Sequence, residues 1–401
     1  MTTDPVEQAA PAAYPEATEA PPMLGPNPFV GPRPYGRKDR LFGRREETRR
    51  LYYLLSAKRI VWLHSPSGAG KTSLVWASLV PRLERDGFAV CPPIRVNLDL
   101  SQATESARGA NPYTLSVLLS LEEGLPDDRR RPLAELAAAG PVAYLTELAE
   151  AHRALGKAGT VLVLDQFEEV LTLHPLDRET KVAFFQAIGE ALLDPNIWAL
   201  FVLREEFLAP LEPYVDWIPT RWSNTFGLGL LDEPAVLEVL TRTALAGGRT
   251  FAEPAARALF NDLARIQVQQ PDGSFREAQG RHAEPVQLQV VCRRLWDAMP
   301  AEDRTIDPED LARFGDVSHA LGVYYAESVA AIAGGDQGLE RRIRAWCGEG
   351  LIAPGGIRGQ VLRGQETSDG LPTDLIERLL DTHLIRAEQR GGATWYELAH
   401  D

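Results

Sequence analysis

The sequence predicts an α/β fold: a parallel sheet between layers of helix, followed by a helical part and a small terminal part. Three observations carry this. Apolar runs ending at charged or turn residues (59–64, 160–165 and 198–206) alternate with amphipathic helical patterns. Such near-continuous runs suit strands buried on both faces of a parallel sheet. After Asp232 helical patterns dominate to about residue 333, and the final stretch reads helix, helix, hairpin.

The elements follow in order. Residues 1–26 are rich in Pro, Ala, Glu and Thr. They offer too little apolar surface to offset ordering entropy, so a disordered tail is expected. A helix is expected over 46–57 and a buried strand over 59–64 (RIVWLH). A glycine-bearing loop follows, then a helical pattern closed by Gly87. Residues 88–99 read as a second strand, broken by Pro92 and Pro93. Residues 112–157 are mostly helical, TVLVLD (160–165) is a strand and 177–193 a helix. WALFVLREE (198–206) gives a fourth strand and TFGLGLL (225–231) a fifth. Polar residues collect at the strand carboxyl ends, where open α/β sheets carry their sites. QQPDGSFREAQGRH (269–282) reads as a surface loop. Helices over 339–348 and 373–382 flank a Gly-rich turn, and two alternating runs around Gly391 and Gly392 make a hairpin. That order is the plan of a winged helix. The expected division is a tail at 1–26, a core at 27–231, a helical lid at 232–333 and a winged helix at 334–401.

Composition narrows the function classes. The chain has 401 residues, 44% hydrophobic and 24% charged, as in ordinary globular proteins. A net charge of -14 argues against a surface built to wrap nucleic acid. Cys91, Cys292 and Cys347 are far apart, which gives no metal or redox spacing and suits a reducing cytosol. No apolar run is long enough to cross a bilayer, and the start lacks the basic and apolar regions of a secretory signal. A cytoplasmic protein without a membrane partner is expected.

The loop SPSGAGKT, residues 65–72, carries the chemistry. A strand, a glycine-bearing loop and a helix aim backbone N–H groups and a helix N-terminus at an anion. The phosphate-loop pattern G-x-x-x-x-G-K-[ST] is met at its last three positions. Gly70 lets the backbone approach, Lys71 reaches the β- and γ-phosphates, and Thr72 ligates Mg²⁺. Ser67, Gly68, Ala69 and Ser73 complete the cradle. Ser65 replaces the first glycine, which matters only if that position needs a positive φ. The competing reading is a Gly/Ser turn with a solvated lysine; the strand–loop–helix context favours the phosphate reading. Asp165 ends an apolar strand, where a carboxylate holds Mg²⁺, and Glu168 and Glu169 follow as candidates to position an attacking water. Arg204, at the end of the fourth strand, is placed to reach a γ-phosphate; an ion pair with Glu205 or Glu206 is the alternative. These residues describe an α/β P-loop NTPase core binding ATP or ADP with Mg²⁺.

With these residues in hand, the chain resembles the novel STAND NTPases, signal-transduction relatives of the AAA+ ATPases. NPFVGPRPYGRKDRLFGRREE, PSGAGKTSL, VLVLDQFEEVLT and FVLREEFLAPL are similar to that family's opening segment, phosphate loop, Walker B strand and strand-four arginine segment. The resemblance runs from about residue 27 to the end. It implies that Phe42, Gly43 and Arg44 lie near the adenine. It implies that Pro285 touches the base, although the glycine that precedes such a proline in relatives is missing here. It also implies that His400, in the terminal Leu-Ala-His-Asp, contacts the β-phosphate of ADP. The implied mechanism is a switch: closed with ADP, opening or oligomerising on exchange to ATP, with slow hydrolysis to reset it. Because relatives continue into sensor repeats, the resemblance implies the switch cassette of a longer protein.

Three rivals remain. A DNA-binding AAA+-type or transcription-regulator ATPase would need a basic groove helix. PTDLIERLLDTH instead sets Asp374, Glu377 and Asp381 against Arg378, and the hairpin offers Arg386 and Arg390. A nucleotide-free scaffold rests mainly on Ser65. A metabolic P-loop kinase would lack the appended helical parts.

Overall fold

The structure, a computed structural model, describes residues 24–66, 68–96, 110–172, 177–269, 275–314, 317–353, 357–364, 366–382, 384–390 and 393–398. Most of the tail expected at 1–26, together with Ser67 and His400, lies outside them.

A five-stranded sheet runs in the order β2-β3-β4-β1-β5, and every neighbouring pair is parallel. The strands are β1 (Ile60–Ser65), β2 (Ala89–Val90), β3 (Thr160–Leu164), β4 (Ile197–Arg204) and β5 (Thr225–Gly227). Strand alternation divides the apolar residues between two layers. Ile60, Trp62, Leu162, Leu164, Ala199, Phe201 and Leu203 face one core. Val61, Leu63, Val161, Val163, Leu200 and Val202 face the other. Both faces are therefore covered, which is why the runs read as continuously apolar. Trp62 anchors the first layer. It stacks on Phe201 with centroids 4.3 Å apart and donates its indole N–H to the Arg221 carbonyl.

The helices of the second layer follow from local signals. In α1 (Arg45–Lys58), Glu46 and Glu47 occupy the first turn and Lys58 the last, matching the helix dipole. The helix after the loop starts as α2 (Lys71–Leu74), widens into a π-helical turn at Val75–Leu79 and resumes as α3 (Val80–Arg85). Pro81 accounts for the widening, since it has no N–H and its ring crowds the carbonyl four residues back. Gly87, with φ of 91°, ends the run as the sequence predicts. The first layer holds α4 (Pro112–Glu122), α5 (Leu133–Ala154), α7 (Arg178–Ala191) and α8 (Leu208–Val215), while the short α6 (Glu169–Thr172) follows β3.

Three expectations are corrected here. The strand expected over 88–99 is, among the described residues, only Ala89–Val90 with an isolated bridge from Ile94 to Leu164, because Pro92 and Pro93 interrupt the ladder. The fifth strand stops at Gly227; Leu231–Asp232 instead pairs antiparallel with His282–Ala283 in a separate ribbon. The stretch 269–282 is only partly loop. Phe275–Gln279 pairs antiparallel with Arg265–Gln269, a pairing made by backbone bonds that the polar, Gly-containing stretch does not signal.

Beyond Asp232 the helices are α9 (Glu233–Ala246), α10 (Glu253–Leu263), α11 (Pro285–Ala298), α12 (Pro308–Phe314) and α13 (Val317–Ala333). Prolines sit at the starts of α9, α10 and α11, where a missing N–H costs nothing. Val236, Leu240, Leu259, Leu288 and Trp296 share a core with Phe29. The opening segment thus packs on this helical part as well as on the sheet. Helix α13 packs between α11 and the terminal helices α14 (Gln337–Ala345) and α15 (Thr373–Asp381). The terminal part ends in a three-stranded antiparallel sheet, Val361–Leu362, Ala393–Leu398 and Ile385–Arg390. Ile343, Trp346, Ile376, Leu379 and Tyr396 form its core.

Candidate functional site

The carboxyl end of β1 lies between β4 and β5, and the glycine loop emerges there. Gly68 has φ of 76° and Gly70 of 90°, conformations that L side chains adopt at a cost of about 1–2 kcal/mol. Gly70 is the N-cap of α2. The first-turn N–H groups beyond it have no intrahelical acceptor, as at every helix start. Ser65 is not among the positive-φ residues, so its position does not require glycine.

Lys71 folds back toward β1. Its ammonium donates to Ser65 Oγ at 2.9 Å and to the carbonyls of Ser65 at 3.2 Å and Pro66 at 3.4 Å. Burial lowers its pKa to about 8, against the opposing pull of Glu168. The Thr72 hydroxyl donates to Asp165 Oδ2 at 3.1 Å, so the phosphate loop and the end of β3 meet. Burial raises the Asp165 carboxyl pKa, and the Thr72 bond and the Gln166 N–H partly offset it. Gln166 holds φ of 54°, a tight turn that starts the Gln-Phe-Glu-Glu segment.

Phe167 points into the core and is fully buried, which leaves Glu168 and Glu169 near the sheet edge. Glu168 is buried and lies 3.4 Å from Arg204 Nε. Burial raises its pKa and Arg204 lowers it. Glu169 is pushed up to about 7, first by burial and then by the charge of Glu168. Arg204 thus meets Glu168, a partner that adjacent-residue reasoning about Glu205 and Glu206 does not suggest.

An apolar cavity opens beside the loop, with an empty volume of about 560 Å³, part of it open to solvent. Leu41, Phe42, Leu231, Val239, Pro285 and Leu288 line it, and it reaches Ala69, Gly70 and Ser73. Pro285 and Glu284, at the start of α11, stand beside the loop glycines: a Cβ on Gly70 would lie 3.9 Å from Pro285, and one on Gly68 would lie 3.7 Å from Glu284. The guanidinium of Arg242 sits 4.9 Å from the Phe42 ring centroid.

Other predicted residues take supporting positions. Arg44 is buried and donates to the carbonyls of Ala69 at 3.0 Å and Gly229 at 2.7 Å, so it braces the loop from below. Gly43 has φ of 73°, and a Cβ there would fall 2.6 Å from Val239 and 2.7 Å from the Ala235 carbonyl. Its glycine permits close approach to α9. The Ser73 hydroxyl accepts from Tyr35 N at 3.1 Å, tying the opening segment to α2. That segment also reaches α11, where Val30 N donates to Gln289 and Arg293 donates back to the Val30 carbonyl. Sequence reasoning missed Leu231, Val239 and Leu288. They follow no spacing rule, because three separate elements contribute them. Among the described residues no cluster of three or more His, Cys, Asp or Glu stands ready for a metal, and no helix is long and apolar enough to cross a membrane.

The family model for Novel STAND NTPase 1 matches residues 28–401. No curated protein matches the chain. Among solved structures, the chain is similar to the Walker-type ATPase paby2304 of Pyrococcus abyssi, with 17% identity, a TM-score of 0.46, and 92% of this chain and 96% of that one covered. It is also similar to the ORC2 protein of Aeropyrum pernix in ADPNP-ADP complexes, with 15% identity, a TM-score of 0.47 and 94% of each chain covered. A third similar structure is the Aeropyrum pernix ORC1 protein in complex with DNA, with 15% identity, a TM-score of 0.42 and 90% of each chain covered.

Proposed function

The chain belongs to the novel STAND NTPase 1 family, and from that premise we propose that it is a nucleotide-dependent signalling switch that binds ATP and ADP with Mg²⁺ and hydrolyses ATP slowly. One juxtaposition carries the reading. Lys71 and the Thr72–Asp165 pair lie at one sheet edge, beside an apolar cavity walled partly by α9 and α11.

In this reading the base enters the cavity between Phe42 and Pro285. The backbone of residues 67–73 and the Lys71 ammonium hold the phosphates. Thr72 and Asp165 supply one hydroxyl and one carboxylate. That small oxygen set would suit Mg²⁺, which when bound would supply neutralisation of charge at the phosphates. One of the two carboxylates, Glu168 or Glu169, positions an attacking water. Arg204 has a definite partner in Glu168, so a γ-phosphate competes for it and supplies the differential interaction that a population shift requires.

Two contacts support a switch. The opening segment bridges α2 and α11, and α6, which begins at Glu169, lies against the strand Ile385–Arg390. We assign the core to 27–231, the helical lid to 232–333 and a winged helix to 334–401, with His400 holding the closed, ADP-bound form. Exchange to ATP loosens that contact and allows self-assembly in the cytoplasm.

The test is to denature purified protein and identify any released nucleotide by chromatography. Stoichiometric ADP is expected. Lys71→Ala should lose the nucleotide while keeping its circular dichroism spectrum. Unchanged ATP affinity in that variant would overturn the assignment of the loop.

A further inference from the structure

Ser65 is where the loop departs from the phosphate-binding pattern, and the geometry gives that departure a role. It is the last residue of β1 and is fully buried. Its Oγ donates to the Pro66 carbonyl at 2.7 Å. The hydroxyl proton is therefore committed, and the oxygen lone pairs face Lys71. An ammonium carries three donors and no acceptor. Here all of its observed bonds go to residues 65 and 66, and the shortest, at 2.9 Å, goes to the side-chain oxygen. A glycine would keep the carbonyl but could not offer that oxygen.

We propose that Ser65 is a positioning residue whose hydroxyl competes with nucleotide phosphate oxygens for the Lys71 ammonium, weakening retention of di- and triphosphates. This rests on the reading that the loop binds nucleotide. The bond to Ser65 Oγ must be exchanged before Lys71 can reach a phosphate. Lys71 is partly buried, and the acceptor it gives up, Ser65 Oγ, lies on a fully buried residue, so the exchange opposes binding. The serine thereby shifts the balance toward release. The same competition leaves a monophosphate untouched, since the lysine of such loops serves the β- and γ-phosphates.

The experiment compares wild type, Ser65→Ala, Ser65→Gly and Ser65→Thr for binding of Mg²⁺-ATP, ADP and AMP by calorimetry. Ser65→Ala and Ser65→Gly should bind ATP and ADP about ten-fold more tightly, the equivalent of one charged hydrogen bond no longer exchanged. AMP affinity should not move. Ser65→Thr, which keeps the hydroxyl, should restore wild-type values. A merely structural serine would change all three ligands together, and that result overturns the proposal. Unchanged or weaker ATP binding in folded Ser65→Ala also overturns it. Wild-type protein that binds no ATP would instead defeat the functional reading itself, which separates the two failures. If Ser65→Gly unfolds, the Ala and Thr pair decides the matter.

Discussion

Glu169 shows how one residue's surroundings become a measurable property. Its carboxyl is raised from 4.5 to about 7 by burial and by Glu168. The folded state therefore holds the proton more tightly than the unfolded state. Stability from this group is present below pH 4.5 and is lost as pH rises to about 7. Glu169→Gln removes the buried charge, so its melting temperature should gain on wild type between about pH 5 and about pH 8. A constant difference across that range would show that the carboxyl is not held in this way. At the same scale, Lys71, Thr72 and Asp165 were legible from spacing alone, because the loop pattern and the acid-ended strand are local signals. The Arg204–Glu168 pair was not. It joins residues 36 positions apart on neighbouring strand ends, and only the sheet order β3-β4 places them together.

At the scale of elements, the junction between the opening segment and α9 is the tightest test. Gly43 combines a positive φ with a space already filled by Val239 and the Ala235 backbone. Gly43→Ala should destabilise the protein by roughly 2–4 kcal/mol, from left-handed strain plus overpacking. Denaturant titration with an unchanged midpoint would show that α9 can retreat freely. The strand and helix order through residue 204 follows from the period of the apolar residues, although the strand expected over 88–99 is reduced to Ala89–Val90 ahead of the Pro92–Pro93 break. The correction at 269–282 has a local cause. A polar, Gly-containing stretch does not reveal strand pairing, because the bonds of a hairpin are made by its partner, Arg265–Gln269. The π-helical turn at Val75–Leu79 had its signal in Pro81, and the widening depends on how the carbonyl four residues back can move.

For the whole molecule, the proposed switch predicts a change of assembly. Replacing ADP by Mg²⁺-ATP should raise the mass measured by light scattering, since in the proposed site the nucleotide would touch both the sheet edge and α11. An unchanged mass in protein shown to contain ATP would count against assembly as the output. The opening segment makes such coupling physically direct: Tyr35 meets Ser73 on α2, while Val30 meets Gln289 on α11. Under the proposed switch, a movement of α11 would be passed to α2 through these two contacts.

The sequence by itself determined the parallel sheet, the phosphate loop and its acid partner. Each is encoded in a run of neighbouring residues whose period or spacing has few other physical solutions. Only the tertiary structure decided the cavity wall, the Arg44 brace and the Glu168–Arg204 pair. These depend on side chains brought together from distant elements, and burial, not local propensity, sets which of them must find a partner.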